Sequence, residues 1–397
     1  MQKDKAAFLE KLMATQPEHF KSILSQKDSL RVQIVYTQIN RNKNNKPSFN
    51  SFYFNQQPAS YFYPASTVKM PIAFLALEKL NELNIPGLNM HTTMLTGAEK
   101  SFQTEVFTQP TSIDSRPTIA NYIQQIFLVS DNDAFNRLYE FLGQEYIQKK
   151  LADKGYTDAV IRHRLQVSMN AEQHRYTNPV RFYDTTGKLI YEQQGVYSNA
   201  VYPNKNISLG KGFYKSGKLV KEPFSFSDKN DILLKDLHTI LQSVLFPEAF
   251  TAKKRFRLTN EDLVFLKQWM SAYPKESTFP NYLESEYWDT YCKFLLYGSE
   301  KVTPNNNIRI FNKVGDAYGF LTDIAYIVDF EKGIEFMVSA TILCNSDGIF
   351  NDNNYDYDSV GFPFMKNLGK LLYDYESKRK KRFQPDLKTF EMKYAIK

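Results

Sequence analysis

Three strand-like segments follow one another near the C-terminus, and they constrain the fold more than any other feature of the chain. They cover residues 307–314, 322–330 and 333–344, with only short turns between them. Short turns join antiparallel neighbours, because a parallel pair of strands needs a crossover connection of a dozen or more residues. We therefore predict an antiparallel sheet built from this end of the chain.

The rest of the chain supplies a hairpin and helices to go with that sheet. Residues 31–39 and 49–55 are rich in β-branched and aromatic side chains and flank an Asn/Lys turn, which predicts a β-hairpin. Apolar residues recur at helical spacing in the segments 5–24, 66–83, 118–129, 133–142, 229–246, 260–272 and 364–376. This order predicts an α+β fold, an antiparallel sheet covered by helices. We expect one domain over residues 1–397, with a β-rich insertion at about 182–226.

Composition excludes several classes of protein. Hydrophobic residues make up 42% of the chain and charged residues 23%, which is typical of a folded protein. The net charge of +7 is scattered except for the run at 377–382. Without an aromatic or Gly-rich reader motif beside it, that run is interpreted as a solvated helix end rather than a nucleic-acid patch. No pattern indicates an oligomeric state.

Metal and membrane signals are missing from the sequence. Cys292 and Cys344 are the only cysteines and lack metal-ligand spacing, so we expect neither a disulfide framework nor a zinc site, and no cofactor. No apolar stretch approaches the roughly 18 residues that span a bilayer, and we expect no stable membrane span.

A Ser-x-x-Lys motif brings a hydroxyl and an amine together one helical turn apart, where the amine can take a proton from an attacking serine. Three pairs match: Ser66/Lys69, Ser208/Lys211 and Ser377/Lys380. Only the first opens an apolar helix directly after an extended segment, so its serine should be exposed at a helix N-terminus. Backbone N–H groups there can stabilise a developing oxyanion. We select Ser66 as the candidate nucleophile.

The segment Ser130-Asp131-Asn132 occurs once and lies between two predicted helices. One interpretation is a helix N-cap, because Ser and Asp begin helices routinely. The other assigns chemistry: Ser130 relays a proton toward a leaving group, and Asn132 donates a hydrogen bond to a substrate amide.

A Lys-[Ser/Thr]-Gly motif on a strand has two candidates. Lys215-Ser216-Gly217 matches the letters, but its surroundings predict the tip of an ordinary hairpin. Lys313-Val314-Gly315 matches less well, yet it ends a predicted strand and is followed by a second strand. We select Lys313.

Order adds specificity that the single motifs lack. Ser-x-x-Lys, then Ser-Asp-Asn, then Lys-Thr-Gly is the signature of class A β-lactamases and penicillin-binding proteins. The chain resembles class A β-lactamases in the Ser66–Pro71 opening, in the step of 64 positions from Ser66 to Ser130, in Thr177-Asn178-Pro179, and in Tyr318-Gly319 followed by Thr322-Asp323-Ile324-Ala325. The resemblance implies an α/β sandwich with a mainly five-stranded antiparallel sheet flanked by helices, plus a helical lobe.

The resemblance also implies a serine hydrolase that forms an acyl-enzyme on Ser66 and hydrolyses β-lactams. Lys69 activates the nucleophile, although an ordinary lysine with a pKa of about 10.4 must first lose its proton. Lys313 holds a substrate carboxylate next to Gly315, and the backbone N–H groups of Ser66 and Asp316 form the oxyanion hole.

Two departures from the family pattern concern the substrate and the turnover. Val314 replaces a hydroxyl residue, which removes one hydrogen bond to a substrate carboxylate. The deacylating Glu-x-x-Leu-Asn motif is missing, and within 156–179 Glu172 is the selected substitute. The alternative for Glu172 is an ion pair with Arg175 or another nearby basic residue. The sequence therefore supports acylation better than turnover.

Two other functions stay open. One is a penicillin-binding DD-peptidase-like enzyme with slow deacylation, acting on peptidoglycan peptides. The other is a non-catalytic protein that binds cell-wall peptide or glycan. Because peptidoglycan and β-lactams are met outside the inner membrane, we expect a periplasmic or envelope location in a bacterium, with the leader absent from this sequence.

Overall fold

The computed structural model describes residues 2–56, 60–203 and 205–394, with side chains from residue 7 onward. The chain divides into two compact units. Unit 1 comprises Met1–Thr67, Asn204–Gln242 and Asp289–Glu391, and unit 2 comprises Val68–Pro203, Ser243–Trp288 and Met392–Lys397. Each unit is assembled from segments that are distant in the sequence. The single domain expected over residues 1–397 stays a prediction.

Helices occur in both units. The α-helices of the described residues are α1 Gln2–Ala14, α2 Pro17–Ser25, α3 Lys69–Leu83, α4 Ile119–Val129, α5 Asn132–Leu142, α6 Gln144–Asp153, α7 Leu234–Leu245, α8 Asn260–Ser271 and α9 Phe362–Lys378.

Strands likewise occur in both units. The strands of the described residues are β1 Gln33–Arg41, β2 Pro47–Phe54, β3 Thr93–Thr96, β4 Val180–Tyr183, β5 Leu189–Gln193, β6 Ser208–Leu209, β7 Gly212–Lys215, β8 Lys218–Val220, β9 Phe224–Ser225, β10 Ile308–Ala317, β11 Phe320–Asp329, β12 Ile334–Leu343 and β13 Ile349–Phe350.

Unit 1 is built on a five-stranded antiparallel sheet in the order β10-β11-β12-β1-β2. The N-terminal hairpin β1–β2 joins the C-terminal meander through the pairing of β1 with β12, in which Tyr36 lies opposite Val338. All ten residues of β11 are buried, as expected for a central strand covered on both faces. The predicted α+β fold with a mainly five-stranded antiparallel sheet is confirmed.

Helices contact both faces of this sheet. Successive side chains of a strand point to opposite faces, so neighbouring residues of β1 contact different helices. On β1, the hydroxyl of Tyr36 donates to the carboxylate of Glu376 on α9 at 2.5 Å. The next residue, Thr37, contacts His238 of α7 from the other face, with 2.9 Å between its hydroxyl and Nε2. The apolar core of unit 1 lies between the sheet and the layer formed by α1, α2 and α9.

Unit 2 holds the helices α3, α4 and α5, which pack on one another. The apolar side chains of α4 and α5 are almost fully buried, and α3 is buried along most of its length. A separate three-stranded antiparallel sheet, in the order β3-β4-β5, completes the unit. This is the helical lobe that the resemblance implies.

Two local expectations are corrected, and a third stays untested. The helix predicted for 5–24 is two helices, because the chain leaves helical geometry at Gln16 and α2 starts afresh with Pro17 in its first turn. The strand that carries Lys313 does not end there but continues to Ala317. The segment 182–226 is rich in short strands, yet its part up to Pro203 belongs to unit 2 and its remainder to unit 1. Its status as an insertion stays a prediction.

In the part of the chain that the structure describes, no helix combines the length and the apolar character that crossing a membrane requires.

Candidate active site

Ser66 lies in a short 3-10 turn, Ala65–Val68, that leads directly into α3. Both the backbone N–H and the hydroxyl of Thr67 donate to the carbonyl of Pro64, at 3.0 and 2.6 Å, and fix the turn. Ala65 has φ +45°, a region that residues with a Cβ avoid and that concentrates at functional sites. The serine predicted to be exposed at the helix N-terminus is therefore half-buried, in the turn before the helix.

Gly315 of β10 lies directly against that turn. A Cβ placed on Gly315 would be 2.7 Å from the backbone nitrogen of Ser66, 2.8 Å from that of Thr67 and 2.9 Å from the oxygen of Pro64. Real Cβ atoms do not approach backbone atoms this closely. Only glycine lets β10 approach the nucleophile turn, so unit 1 brings together the two backbone segments of the predicted oxyanion hole: Ser66, and Asp316, which follows Gly315.

Lys313 is buried in the same strand, and its Nζ donates to the carbonyl of Val314 at 2.8 Å. Burial lowers the pKa of Lys313 to about 8, against the opposing effect of Cys292, Asp316 and Asp323. Such a lysine is still mostly charged at neutral pH, but it loses its charge at a lower pH than an ordinary lysine does. The side chain of Val314 is 2% exposed and belongs to the apolar core of unit 1.

A buried polar network next to Lys313 was missed by the sequence reasoning. Lys293 Nζ donates to Asn312 Oδ1 at 2.7 Å, and Asn312 Nδ2 donates to Asp323 Oδ1 at 2.9 Å. Burial raises the pKa of Asp323 to about 6, although the backbone N–H of Leu295 and the amide of Asn312 favour its ionised form. The network ties β10 to β11 at the level of Lys313; the only sequence signal for it was the Thr-Asp-Ile-Ala segment.

In unit 2, the structure brings Lys69, Ser130 and Asn132 together. Lys69 is fully buried, and its Nζ donates to the carbonyl of Ser130, to the hydroxyl of Ser130 at 3.3 Å and to Asn132 Oδ1 at 2.7 Å. Three oxygen acceptors around one amine match the three donors of an ammonium group. The first and second motifs therefore meet at the amine of Lys69.

The backbone of Ser130-Asp131-Asn132 distinguishes the two interpretations of this segment, a helix N-cap and a catalytic motif. The N-cap of α5 is Asp131, whose carboxylate accepts from the N–H of Ala134 at 2.8 Å. Ser130 instead ends α4 with φ +60°, which aims both its carbonyl and its hydroxyl at Lys69. Capping thus accounts for Asp131 and leaves Ser130 and Asn132 to the predicted site.

Glu172 has contacts of its own at the surface of unit 2. Its side chain is 61% exposed and lies 3.9 Å from Arg175. A hydrogen bond to the Glu172 carboxylate raises the pKa of Tyr197. The alternative interpretation, an ion pair with Arg175, describes these contacts, and a deacylating role for Glu172 stays a prediction.

Gln166 is a neighbour of the site that no motif marked. Asn132 Nδ2 donates to Gln166 Oε1 at 2.5 Å. The exposed side chain of Gln166 is therefore linked to Lys69 through the side-chain amide of Asn132. Unlike a carboxylate, an amide cannot accept a proton at neutral pH.

The two cysteines are buried free thiols, and burial raises the pKa of Cys344. Over residues 2–56, 60–203 and 205–394, no group of three or more His, Cys, Asp or Glu side chains is arranged to hold a metal ion.

Comparison with known proteins agrees with the geometry. Residues 18–199 match the model of the Beta-lactamase enzyme family. No curated protein matches the chain. Among solved structures, a β-lactamase from Desulfarculus baarsii DSM 2075 is 12% identical, with a TM-score of 0.50, covering 92% of this chain and 98% of its own. The structure of PBP-A is 14% identical, also with a TM-score of 0.50, covering 95% and 97%.

At such low identity the two solved structures show the fold alone. The match over residues 18–199 includes Ser66, Lys69 and the Ser-Asp-Asn segment. Residues 18–199, a little under half of the chain, are thus similar to the Beta-lactamase enzyme family, and the chain has the β-lactamase and transpeptidase-like fold.

Proposed function

We propose that the protein is a serine hydrolase that forms an acyl-enzyme on Ser66 with a β-lactam or a peptidoglycan peptide. The observation that carries the proposal is the buried amine of Lys69, which bonds to Ser130 and Asn132. Lys69 follows Ser66 by three residues, the spacing that lets an amine take the serine proton. Gly315 against the Ser66 turn supports an oxyanion hole on the same nucleophile.

Acylation in this proposal begins when Ser66 Oγ attacks the carbonyl carbon and its proton passes to Lys69 in the neutral form. A C–O bond forms, and the carbonyl π electrons move to the oxygen held by the backbone N–H groups of Ser66 and Asp316. When the tetrahedral intermediate collapses, the C–N bond breaks. Ser130 gives its proton to the leaving nitrogen and recovers one from Lys69, so that protons balance.

Deacylation requires a water and a base to take its proton while the ester C–O bond breaks. Glu172 is exposed and engaged with Arg175, and Gln166 offers an amide rather than a carboxylate. These observations favour a second candidate within the same chemistry: a penicillin-binding, DD-peptidase-like enzyme whose acyl-enzyme is hydrolysed slowly. A β-lactamase with an unusual deacylating group is the alternative.

Substrates of this kind imply the place of action. Peptidoglycan and β-lactams are met in the periplasm or cell envelope of a bacterium, and the proposal includes that location. Lys313 would hold the carboxylate that both substrate classes carry, and Asn132 would donate to the amide of the acyl group.

Intact-mass spectrometry with benzylpenicillin and nitrocefin, sampled from seconds to hours, tests the proposal. We expect an adduct in the wild type and none in Ser66→Ala. An adduct that persists supports the slow enzyme, whereas a transient adduct with consumed antibiotic supports a β-lactamase. If a folded wild type forms no adduct with either compound, the proposal fails and a non-catalytic cell-wall binding protein takes its place.

A further inference from the structure

In the contact between Asn132 and Gln166, Asn132 is the hydrogen-bond donor and Gln166 is the acceptor. The Nζ of Lys69 donates to the atom of Asn132 that faces it, and that atom is the oxygen, Oδ1. The opposite atom of the Asn132 amide is then the NH₂ group, which donates to Gln166 Oε1 at 2.5 Å. One of the two N–H groups of Asn132 is therefore occupied by a side-chain amide carbonyl.

The fold holds Gln166 at this position. The preceding residue, Leu165, is bonded to the side chain of Asn136 through both its N–H and its carbonyl, at 2.8 and 3.0 Å. Asn136 lies one helical turn after Asn132 on α5, so the two amides face the same side of the helix. The two hydrogen bonds between Leu165 and Asn136 therefore hold Gln166 next to Asn132.

Gln166 also shows a backbone feature that is common at functional sites. Its φ is +53°, a left-handed conformation that a residue with a Cβ adopts at a cost in free energy. Its side chain is nevertheless exposed. An exposed side chain can rotate away and exchange its partner for water, so the contact with Asn132 is displaceable.

From this geometry we infer that Gln166 occupies, in the resting enzyme, the position of the substrate's amide carbonyl, and that an amide-bearing substrate acylates Ser66 only after displacing it. The inference rests on the proposed function, in which Asn132 donates to that carbonyl. A glutamine side chain ends in an amide carbonyl, and the acyl side chain of benzylpenicillin also contains an amide carbonyl. In this inference two amide carbonyls compete for the same one of the two N–H groups of Asn132.

The inference predicts a selective effect. A neutral hydrogen bond contributes about 0.5–1.5 kcal/mol net, so removing the competitor should raise the second-order acylation rate constant by about 2- to 10-fold. The gain should appear only with substrates that use the Asn132 donor. 6-Aminopenicillanic acid has an amine in place of the acyl amide and should acylate at an unchanged rate.

The test compares these two compounds by rapid-quench mass spectrometry on wild type, Gln166→Met and Gln166→Glu. Gln166→Met keeps the length of the side chain and removes the strong acceptor, whereas Gln166→Glu replaces it with a stronger one. We expect faster acylation by benzylpenicillin in the first variant and slower acylation in the second, with 6-aminopenicillanic acid unchanged in the first. Val167→Ala, at the neighbouring exposed residue, is the matched control and should change neither rate.

Each outcome is decisive. An equal change with both compounds in Gln166→Met would mean a structural role, and an unchanged or slower rate with benzylpenicillin would likewise overturn the inference. In both cases acylation itself persists and the proposed function stands. If the folded wild type is acylated by neither compound, the proposed function has failed and the inference fails with it.

Discussion

Replacing Gly315 by alanine should disable the nucleophile without unfolding the protein. The added Cβ would lie 2.7 to 2.9 Å from three backbone atoms of residues 64–67, none of which can rotate away. Because an ordinary non-bonded contact is about 3.5 Å or more, β10 and the Ser66 turn must separate by roughly 0.6–0.8 Å.

The expected loss of rate follows from that displacement. A misplacement of about 1 Å can cost on the order of 100-fold in rate, and loss of one oxyanion donor costs about 100- to 1000-fold. We therefore expect the acylation rate constant of Gly315→Ala to fall by about 100-fold. Overpacking should also lower the free energy of unfolding by about 1–3 kcal/mol, which leaves the variant folded at 25 °C.

Stopped-flow acylation by nitrocefin, with circular dichroism and thermal unfolding on the same samples, measures both effects. Gly212→Ala is the control in the same unit: its added Cβ would meet the flexible end of Ile349 at 3.0 Å and the backbone oxygen of Val220 at 3.1 Å, both longer than the contacts at Gly315. It should keep the wild-type acylation rate. If Gly315→Ala is folded and acylates within about threefold of the wild type, the close approach of β10 to the nucleophile turn does not matter for chemistry and the reasoning is refuted.

Three further predictions concern charge and burial. Burial lowers the pKa of Lys313 to about 8, so its positive charge is lost as the pH rises through 8. Acylation by benzylpenicillin should therefore fall in this pH range, whereas acylation by its uncharged methyl ester should not. Parallel pH profiles for the two compounds would contradict a carboxylate-binding role. Glu335→Gln should destabilise the protein by about 3–5 kcal/mol in urea unfolding, since it removes the negative charge that lies 2.6 Å from the buried guanidinium of Arg41; a loss below about 1 kcal/mol would show that the pair is dispensable. Val314→Thr should cost about 1–3 kcal/mol of stability by placing a hydroxyl in the apolar core, without faster acylation; a tenfold gain in acylation would mean that residue 314 reaches the substrate.

The sheet of unit 1 was predictable because its signals are local. Alternating apolar residues and short turns gave the strands β10, β11 and β12 to within a few residues, and the break in the N-terminal helix was missed because proline fits the first turn of a helix. The Ser216-Gly217 tip of the β7–β8 hairpin was likewise predictable, and both residues have positive φ there.

The part of the site that the sequence could not predict depends on contacts between distant residues. Motif order pointed to Lys69, Ser130 and Asn132, which the structure joins by hydrogen bonds. Nothing in the sequence indicates that Asn136 binds the backbone of Leu165 or that Gln166 thereby lies next to Asn132. The first pair is 29 residues apart and the second pair is 34 residues apart. The division of segment 182–226 between two units is also a matter of long-range packing.

The central claim is that Ser66 is the residue that becomes acylated, and peptide mapping tests it most directly. The protein is incubated with benzylpenicillin, quenched in acid, digested with a protease and analysed by tandem mass spectrometry. The account predicts one penicilloyl group, on the peptide that contains Ser66, and no such group in Ser66→Ala. A modification at another residue, or an unmodified Ser66 in protein that has consumed the antibiotic, would contradict it.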